Sequence, residues 1–376
     1  MKWFKLFLSI FCLFIVVIIF ALGIFVYFAD AEKFKSELIN EVQSKTGYQL
    51  VIDGRMSFSF FPRLAVYIDR MMVKAPQSSG YFLDARQVKV AADLFSWIGT
   101  KQKLKGKVSA TRMRLMNMNF DEATCDLHFQ SGVLTIAPIK AQFYQGQLEG
   151  NLKGQNFFVM PNWQLEFRLK DVELQSLLRD VNDGDIKLNV QGLGNLHLQA
   201  ETFGKTRSEM MNQLNGIGDF NVPNGTLEGF DLKYYIKSAE ALIRNDPDLQ
   251  QTLNEHRTPF TKLNGSFIIN HGQAETNNLL LISPLLTVKA LGHIELMNRL
   301  LDFKLNLKST QNEQSKWYIP ILLTGTLSHP EMKLDTKEIS QMLAGEEIDK
   351  IKQKALDQID KHVHGKAGDF LKKLLR

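Results

Sequence analysis

Cysteine is almost absent from this chain, which has two in 376 residues. Cys12 lies inside a long apolar run and Cys125 is the other, so the fold is expected to contain no intramolecular disulfide. A chain of this length without disulfides has to be stabilised by buried apolar side chains and by β-ladders. Its composition permits this, because 44% of the residues are hydrophobic and 23% are charged.

A strong excess of one charge is missing too. The chain has 45 Lys and Arg residues and 40 Asp and Glu residues, which gives a net charge of +5. This charge is spread along the chain, whereas nucleic-acid-binding proteins concentrate basic residues on one face or in one segment. A nucleic-acid partner is therefore not expected.

Motifs that carry catalysis or bind cofactors are also missing. The eight histidines stand singly except His362 and His364, and neither an H-E-x-x-H motif nor Cys/His metal-ligand spacing occurs. Gly192-x-Gly194 and Gly216-x-Gly218 lack the third glycine of a dinucleotide-binding loop, and we interpret both as bends in strands. The sequence has no G-x-S-x-G motif and no paired carboxylates. It therefore predicts that the protein is not an enzyme and has no catalytic residue, no cofactor and no metal ion.

The longest apolar run is Phe7–Phe28, which contains no charged residue. As a helix it would be about 33 Å long, enough to cross a hydrocarbon core of about 30 Å. The run exceeds the apolar region of about 7–15 residues in a secretory signal peptide, although Ala29-Asp30-Ala31 resembles a cleavage site and leaves cleavage open. Two lysines precede the run and two closely follow it, so the basic residues alone do not fix its orientation. Because a short charged N-terminus usually stays in the cytoplasm, we predict a cytoplasmic segment 1–6, a single-pass anchor 7–28 and a body on the far side.

The residues after this run predict a helix and three strands. Glu32–Thr46 has apolar residues at helical spacing and is followed by a glycine that can end the helix. Asp53-Gly54 separates two alternating stretches, Tyr48–Asp53 and Met56–Phe61, which predicts a hairpin. A third strand is expected to follow and to end near Pro76.

Period-two alternation dominates the middle of the chain. From Trp163 to Lys170 every second residue is apolar, and turn residues recur about every 8–12 positions, which predicts a long antiparallel meander. Short helices are predicted at about Val172–Arg179 and Arg207–Leu214, and a turn at Pro223-Asn224-Gly225. The predicted fold is mainly β with some α: an N-terminal transmembrane helix, an elongated curved antiparallel β-sheet with an open groove, short helices and a C-terminal amphipathic helix.

The tail from Thr336 to Arg376 changes to helical periodicity, with apolar residues three to five positions apart. Its last part, Lys361–Arg376, is basic and has an apolar edge. The tail could lie on an anionic membrane surface or bind a partner, and it could equally cap the open end of the sheet.

Short motifs in a fixed order accompany these elements. Behind the apolar run they are Thr46-Gly47, Asp53-Gly54 and Phe61-Pro62. The C-terminal third contains Asn224-Gly225, then Gly229-Phe230-Asp231-Leu232 with Asp231 placed to cap a helix, then Phe260, Leu263, Gly265, Phe267, Ser283, Pro284 and Gly292, and finally Ile319-Pro320 to His329-Pro330. In this order the motifs resemble the AsmA family of bacterial envelope proteins, best over residues 1–100 and 214–335. The part between is short for the family, so a shorter groove is expected.

The resemblance implies β-rich regions at 29–213 and 214–335 and a helical tail at 336–376. It implies a single-pass protein in the inner membrane of a Gram-negative bacterium, whose periplasmic body handles or transfers phospholipid for outer-membrane biogenesis and lipid homeostasis. The family resembles bridge-like lipid-transfer proteins, in which a curved sheet holds acyl chains in an apolar groove. The predicted groove residues are the apolar members of the alternating strands: Leu127, Phe129, Trp163, Leu165, Phe167, Leu169, Leu188, Val190, Leu196, Leu198, Phe267, Ile269, Leu286, Val288, Leu301, Phe303, Leu305 and Leu307.

Two alternatives stay open. Alternating Leu and Phe residues also form the core of closed β-domains, in which no lipid is bound. The protein could instead be a non-enzymatic assembly factor or scaffold that influences outer-membrane protein insertion, with an envelope protein partner at the C-terminal tail.

Overall fold

The computed structural model describes residues 31–59, 64–74, 80–92, 103–157, 160–182, 189–229, 257–284, 286–310 and 318–344. The predicted anchor 7–28 lies outside these residues, as do Asp231 and the tail beyond residue 344. No helix in the described part is both long enough and apolar enough to cross a membrane.

The described part is mainly β. Its helices are α1 (Ala31–Thr46), α2 (Leu174–Val181) and α3 (Arg207–Asn212), and residues 336–344 are also helical. Its strands are β1 (Gln49–Ser59), β2 (Leu64–Lys74), β3 (Tyr81–Ala92), β4 (Lys103–Leu115), β5 (Met118–Gln130), β6 (Val133–Phe143), β7 (Gly146–Gln155), β8 (Asn162–Glu173), β9 (Asn189–Phe203), β10 (Asn215–Val222), β11 (Gly225–Glu228), β12 (Arg257–Phe260), β13 (Lys262–Asn270), β14 (Gln273–Ile282), β15 (Leu286–Glu295), β16 (Leu300–Ser309), β17 (Ile319–Thr326) and β18 (Pro330–Leu334).

All these strands belong to one antiparallel sheet. From β1 to β10 each strand pairs with the next, β10 then pairs with β13, and the meander continues to β18. β11 pairs with the first part of β9 and with β12, so β11 and β12 extend β10 and β13 along their length. Among the described strands β1 pairs with β2 alone and β18 with β17 alone, so the sheet is open. The predicted large open antiparallel sheet and its short helices are confirmed.

The predicted hairpin at Asp53-Gly54 is wrong. β1 runs straight through these residues and pairs with β2 on both sides of a register shift between Asp53 and Met56. Gly54 has a φ of +82°, and the backbone N–H of Arg55 donates to the Asp69 carboxylate at 2.8 Å. The glycine therefore makes a bulge opposite β2 instead of reversing the chain.

The turn predicted at Pro223-Asn224-Gly225 is a similar interruption. β10 before it and β11 after it both run antiparallel to β9, so the chain keeps its direction. On β9 the bend falls at Gly192, which has a φ of +139° and lies against the Asn224 carbonyl. The bend interpretation is right for Gly192, whereas Gly216 and Gly218 lie inside a regular strand paired on both sides.

At one level of β2–β5 the spacing between inward-facing residues changes from two to three. Gln87 and Glu122, at this level, have φ values of +50° and +51°. The extra residue in each strand keeps the apolar side chains on the same face of the sheet. The inward residues on either side of the change are Ile68 and Met71 in β2, Ala85 and Val88 in β3, Ala110 and Met113 in β4, and Phe120 and Ala123 in β5.

Helix α1 covers the apolar side of the first four strands. Phe34, Leu38 and Val42 form one stripe of the helix and are buried against β1–β4. The ring of Phe34 meets the ring of Phe58 edge-on, with 5.4 Å between centroids. The helix ends at Gly47, whose φ is +73° and whose N–H donates to the Gln43 carbonyl at 2.9 Å. The N-terminal end of the sheet is therefore closed by a helix.

Ion pairs on the other side of the same strands stabilise their register. Arg70 donates two hydrogen bonds to Asp84, Nε to Oδ1 at 3.0 Å and Nη2 to Oδ2 at 2.7 Å. The pair is partly exposed, with 35% of the Arg70 side chain and 19% of the Asp84 side chain accessible. The hydrogen bonds from Arg70 lower the pKa of Asp84 below its ordinary value of 3.8.

Replacing Asp84 by Asn is expected to lower the free energy of unfolding by about 1 kcal/mol at pH 7, because a partly exposed bidentate pair is lost. Since the folded-state pKa is lowered, this contribution is complete above the ordinary pKa of 3.8 and disappears as the pH falls through the folded-state value. Thermal unfolding of the two proteins at several pH values measures this. Glu149→Gln, in an exposed pair with Lys140, is the matched control and should change stability by less than about 0.5 kcal/mol. An Asp84→Asn deficit that stays constant into acid would contradict the assignment.

Candidate functional site

One face of the sheet is apolar from one end to the other. A row of directly opposed residues, which we call the central row, takes one residue from each of β2–β10 and β13–β18. Directly opposed residues of an antiparallel pair share one face, so the whole row faces the same side. It contains no charged or hydrogen-bonding side chain, and its members are Leu64, Ala92, Gly106, Leu127, Ile136, Leu152, Leu165, Ala200, Gly216, Ile269, Ala274, Ile294, Leu301, Gly325 and Pro330.

A second row lies next to the central row on the same face, which we call the apolar face. We call it the open row, and it runs through Phe58, Val66, Val90, Val108, Cys125, Ile139, Gly150, Phe167, Leu198, Gly218 and Phe267. Its polar member is Cys125. Burial is the main cause that raises the pKa of this thiol to about 12, and the neighbouring Asp126 adds to the effect. The thiol therefore stays protonated near neutral pH and behaves as a small apolar group.

The predicted groove residues lie on the apolar face, except Leu188, which is outside the described residues. Nine are buried, and most of these belong to the core of the C-terminal strands: Leu127, Trp163, Ile269, Leu286, Val288, Leu301, Phe303, Leu305 and Leu307. The others are half-buried: Phe129, Leu165, Phe167, Leu169, Val190, Leu196, Leu198 and Phe267. The sheet thus brings together side chains that are up to 180 positions apart in the sequence, Leu127 and Leu307.

The half-buried residues concentrate in the middle of the sheet. Phe167, Leu196, Leu198, Phe220 and Phe267 are cross-strand neighbours on β8, β9, β10 and β13. They pack against none of the four buried clusters of the described part. We call these five residues the open section. Phe220 was missed in the sequence, where its alternation with Asp219 and Asn221 was the available signal.

Helix α2 lies on the apolar face at one border of the open section. Leu177 packs against the cluster of Phe120, Phe143 and Val172. Leu174 packs against the C-terminal cluster and sits where a side chain on Gly194 would be. Glu173 caps the helix by accepting hydrogen bonds from the backbone N–H groups of Gln175 and Ser176.

Hydrogen bonds attach α2 and its C-cap to two distant parts of the sheet. Tyr144 Oη donates to Asp180 Oδ2 at 2.6 Å, and Asn119 Nδ2 donates to the same oxygen at 3.2 Å. Burial and then the bond to Asp180 raise the pKa of Tyr144. On the other side, Arg299 Nη1 donates to Asn182 Oδ1 at 3.3 Å.

These contacts show that the sheet is strongly curved. Asn119 lies on β5 and Arg299 in the turn between β15 and β16, which would be about 40 Å apart across a flat sheet. A helix of eight residues is about 12 Å long, yet α2 and its C-cap reach both. The sheet therefore curves around α2, with the apolar face on the inside.

Helix α3 borders the open section on the opposite side from α2. Met210 of α3 is buried with Trp163, Leu152 and Leu165, and the Thr202 hydroxyl donates to the Met210 carbonyl. Thr206 caps the helix by accepting from the Glu209 N–H at 3.1 Å. The open section is thus framed by one helix at each end of its strands.

The outward face of the same strands is mixed: charged side chains lie on β8 and β9, and the directly opposed Ile217 of β10 and Ile268 of β13 are 56% and 55% exposed. Glu166 lies between Leu165 and Phe167 and forms an ion pair with Arg168, 2.5 Å apart. His197 Nε2 lies 3.3 Å from Glu166 Oε1. Within the described residues no group of three or more His, Cys, Asp or Glu side chains could hold a metal ion. The site is therefore an apolar surface on the inner face of the sheet, and the outer face is exposed to solvent.

The helical residues 336–344 extend this polar outer side. Glu338 forms an ion pair with Lys304 of β16 and accepts a hydrogen bond from the Tyr318 hydroxyl at 2.7 Å. Lys304 alternates with the inward residues Phe303 and Leu305, so this first part of the tail lies on the outer face. Ile339 is 3% exposed. The start of the tail is therefore docked on the sheet.

Asp180→Ala is expected to loosen α2, because it removes the acceptor of two hydrogen bonds, one of them partly buried. A hydrogen bond to a charged group contributes about 1.5–3 kcal/mol, so the α2 amides should exchange about ten to a hundred times faster. Hydrogen exchange of the full chain, read at the peptides of α2 and β8, measures this. Arg179→Ala removes only an exposed 3.9 Å ion pair to Asp180 Oδ1 and should speed exchange less than about threefold. Equal effects of the two substitutions would contradict the role of the Asp180 hydrogen bonds in holding α2 on the sheet.

Comparison with known proteins gives one family. Residues 96–279 match the sequence model of the AsmA family, a region that begins before β4 and ends within β14. The matched region thus includes the middle of the chain, where the motifs resemble the family less than they do in the two flanking parts. Searches of curated proteins and of solved structures gave no match. The match confirms the resemblance read from the motifs: the chain is AsmA-like and carries an AsmA family region over residues 96–279.

Proposed function

We propose that this protein handles or transfers phospholipid, whose acyl chains lie on the apolar face, for outer-membrane biogenesis and lipid homeostasis. The observation that carries the proposal is the central row. It crosses fourteen strand spacings, a path of about 67 Å at about 4.8 Å each, or roughly twice the thickness of a hydrocarbon core. Along the part of this path that the helices leave accessible, a moving lipid meets no charged or polar side chain of the row.

The physical basis is the hydrophobic effect. A lipid that leaves a bilayer keeps its chains out of water only if protein replaces the lost contacts, at about 25 cal/mol per Å² of apolar area. The curved sheet offers such a surface on its inside. The charged headgroup can stay in water, so the transfer requires no catalytic chemistry.

The distribution of burial favours a lipid-binding surface and argues against a closed core. A closed core would bury the middle of the sheet most deeply, since that part is farthest from the edges. Here the first strands are covered by α1 and the C-terminal strands form a buried cluster, whereas the residues of the open section between them are only half-buried. Apolar side chains that stay partly accessible next to one another are typical of binding sites.

Leu198→Asp is expected to abolish lipid transfer with only a modest loss of stability, because it puts a charge on the half-exposed floor of the open section. Transfer of a fluorescent phosphatidylethanolamine between vesicles, with the full chain in the donor membrane, measures this. Gln199→Asp introduces the same charge one residue away on the outward face and should leave transfer unchanged. Equal transfer by both variants would contradict the proposal.

A photo-crosslinker separates lipid handling from the scaffold alternative. Placed at Phe167 in cells, it should capture phospholipid, whereas at the outward neighbour Arg168 it should not. Capture of protein alone at Phe167 would instead support an assembly factor acting through protein contacts.

We also propose that Phe7–Phe28 anchors the protein in the inner membrane, with the N-terminus cytoplasmic and the body periplasmic. The charge-free length of the run and the family region support this. Replacing residues 1–28 by a cleavable signal peptide should release the body from membranes and reduce transfer in cells to the level of a deletion strain. Full activity of the released body would contradict the role of the anchor.

A further inference from the structure

Aromatic rings on the apolar face lie over glycines of the neighbouring strands. Among the described residues five close pairs of this kind occur: Phe167 over Gly150, Trp163 over Gly154, Phe267 over Gly218, Phe260 over Gly225 and Phe303 over Gly292. In each pair a Cβ on the glycine would lie within 3.0 Å of ring atoms, closer than real side chains approach. Each ring therefore occupies space that a side chain on the glycine would fill, and at Gly218 the His197 carbonyl oxygen, 2.8 Å from the Cβ position, limits the same space.

This pairing lets the aromatic rings lie closer to the backbone of the sheet. A ring that finds no Cβ on the neighbouring strand can lie down against the backbone, whereas a side chain at the glycine position would lift it away from the sheet. The glycine and the ring together thus make a floor that is flatter than two ordinary apolar side chains would make.

Two of the five pairs belong to the part of the face that a ligand can reach. Gly150–Phe167 and Gly218–Phe267 lie on the open row, on either side of Leu198, and both rings are half-buried. Of the other three pairs, Trp163 is 2% exposed beside Met210 of α3, and Phe260 and Phe303 are buried in the C-terminal cluster. The two exposed pairs therefore shape the surface of the open section.

The width of this floor suits more than one hydrocarbon chain. From Gly150 on β7 to Phe267 on β13 the open row crosses four strand spacings, about 19 Å. Apolar groups in contact are about 4–4.5 Å apart, so two chains can lie side by side between the borders. A raised ring at either pair would remove the room for one of them.

We propose that Gly150 and Gly218 are specificity-determining residues, which keep the open section shallow enough for a lipid with two acyl chains. This inference rests on the proposed lipid-handling function. With either glycine replaced by alanine, the ring of Phe167 or Phe267 rises from the floor, and a one-chain lipid still fits where a two-chain lipid does not.

The test is native mass spectrometry of the full chain released from detergent, with added dioleoyl phosphatidylglycerol and its one-chain lyso analogue. Gly150→Ala and Gly218→Ala should each lower the ratio of bound two-chain to one-chain lipid about tenfold, the loss expected when about two methylene groups lose their apolar contact. The double variant Gly150→Ala/Phe167→Ala removes the raised ring and should restore the ratio.

Two further variants separate this role from a structural one. Gly154→Ala disturbs a matched pair that α3 covers, so it should lower the melting temperature without changing the ratio. Leu198→Phe adds a ring to the floor where Gly218 is already covered by Phe267, and it should lower the ratio without touching a glycine.

The outcomes divide cleanly between the inference and the proposed function. Wild-type and glycine variants that bind both lipids in the same ratio would overturn the inference and leave lipid handling standing. A wild-type chain that binds neither lipid would overturn the proposed function and the inference with it. A ratio that falls equally in Gly154→Ala would show a general loss of packing and would overturn the role of the two glycines.

Discussion

The structure depends on strand register. An antiparallel sheet keeps one face apolar only if every strand places its apolar residues opposite those of its neighbours, and a slip of one residue exchanges the two faces of a strand. Here the apolar phase is kept from β2 to β18, through changes of spacing in β2–β5 and through the bend at Gly192. The changes of spacing in β2–β5 absorb one extra residue in each strand, so that side chains beyond them, such as Met71, Ala85 and Phe120, stay on the same face as the central row.

The same constraint explains how burial is distributed. A single sheet has no second sheet to cover its apolar face, so helices and curvature must do so. Helix α1 covers the first strands, while α2 reaches from β5 to the turn before β16 and α3 covers Trp163. The open section stays half-buried and is bordered by α2, α3 and the buried clusters. It is therefore a defined site within a continuous apolar surface. Stability and binding thus use the same alternation, in different parts of one sheet.

Much of this could be predicted from the sequence, because alternation is a local property. The strand from Trp163 to Leu169, the helix after the apolar run and the two short helices are where the pattern places them. Features that depend on a neighbouring strand could not be predicted. Asp53-Gly54 has the composition of a hairpin turn, and only its pairing with β2 shows a bulge. Gly218 gives no local sign that the ring of Phe267 lies over it, and the contact of Asn182 with Arg299 joins residues 117 positions apart.

The edge-on contact of Phe34 with Phe58 links the start of α1 to the open row. Phe58 is the first residue of the open row, so the start of α1 lies directly on the line of side chains that leads to Phe167. Seven strand spacings separate β1 from β8, about 34 Å along the row. Whatever holds the first residues of α1 therefore also holds the open section, because the paired strands of one curved sheet join the two over this path.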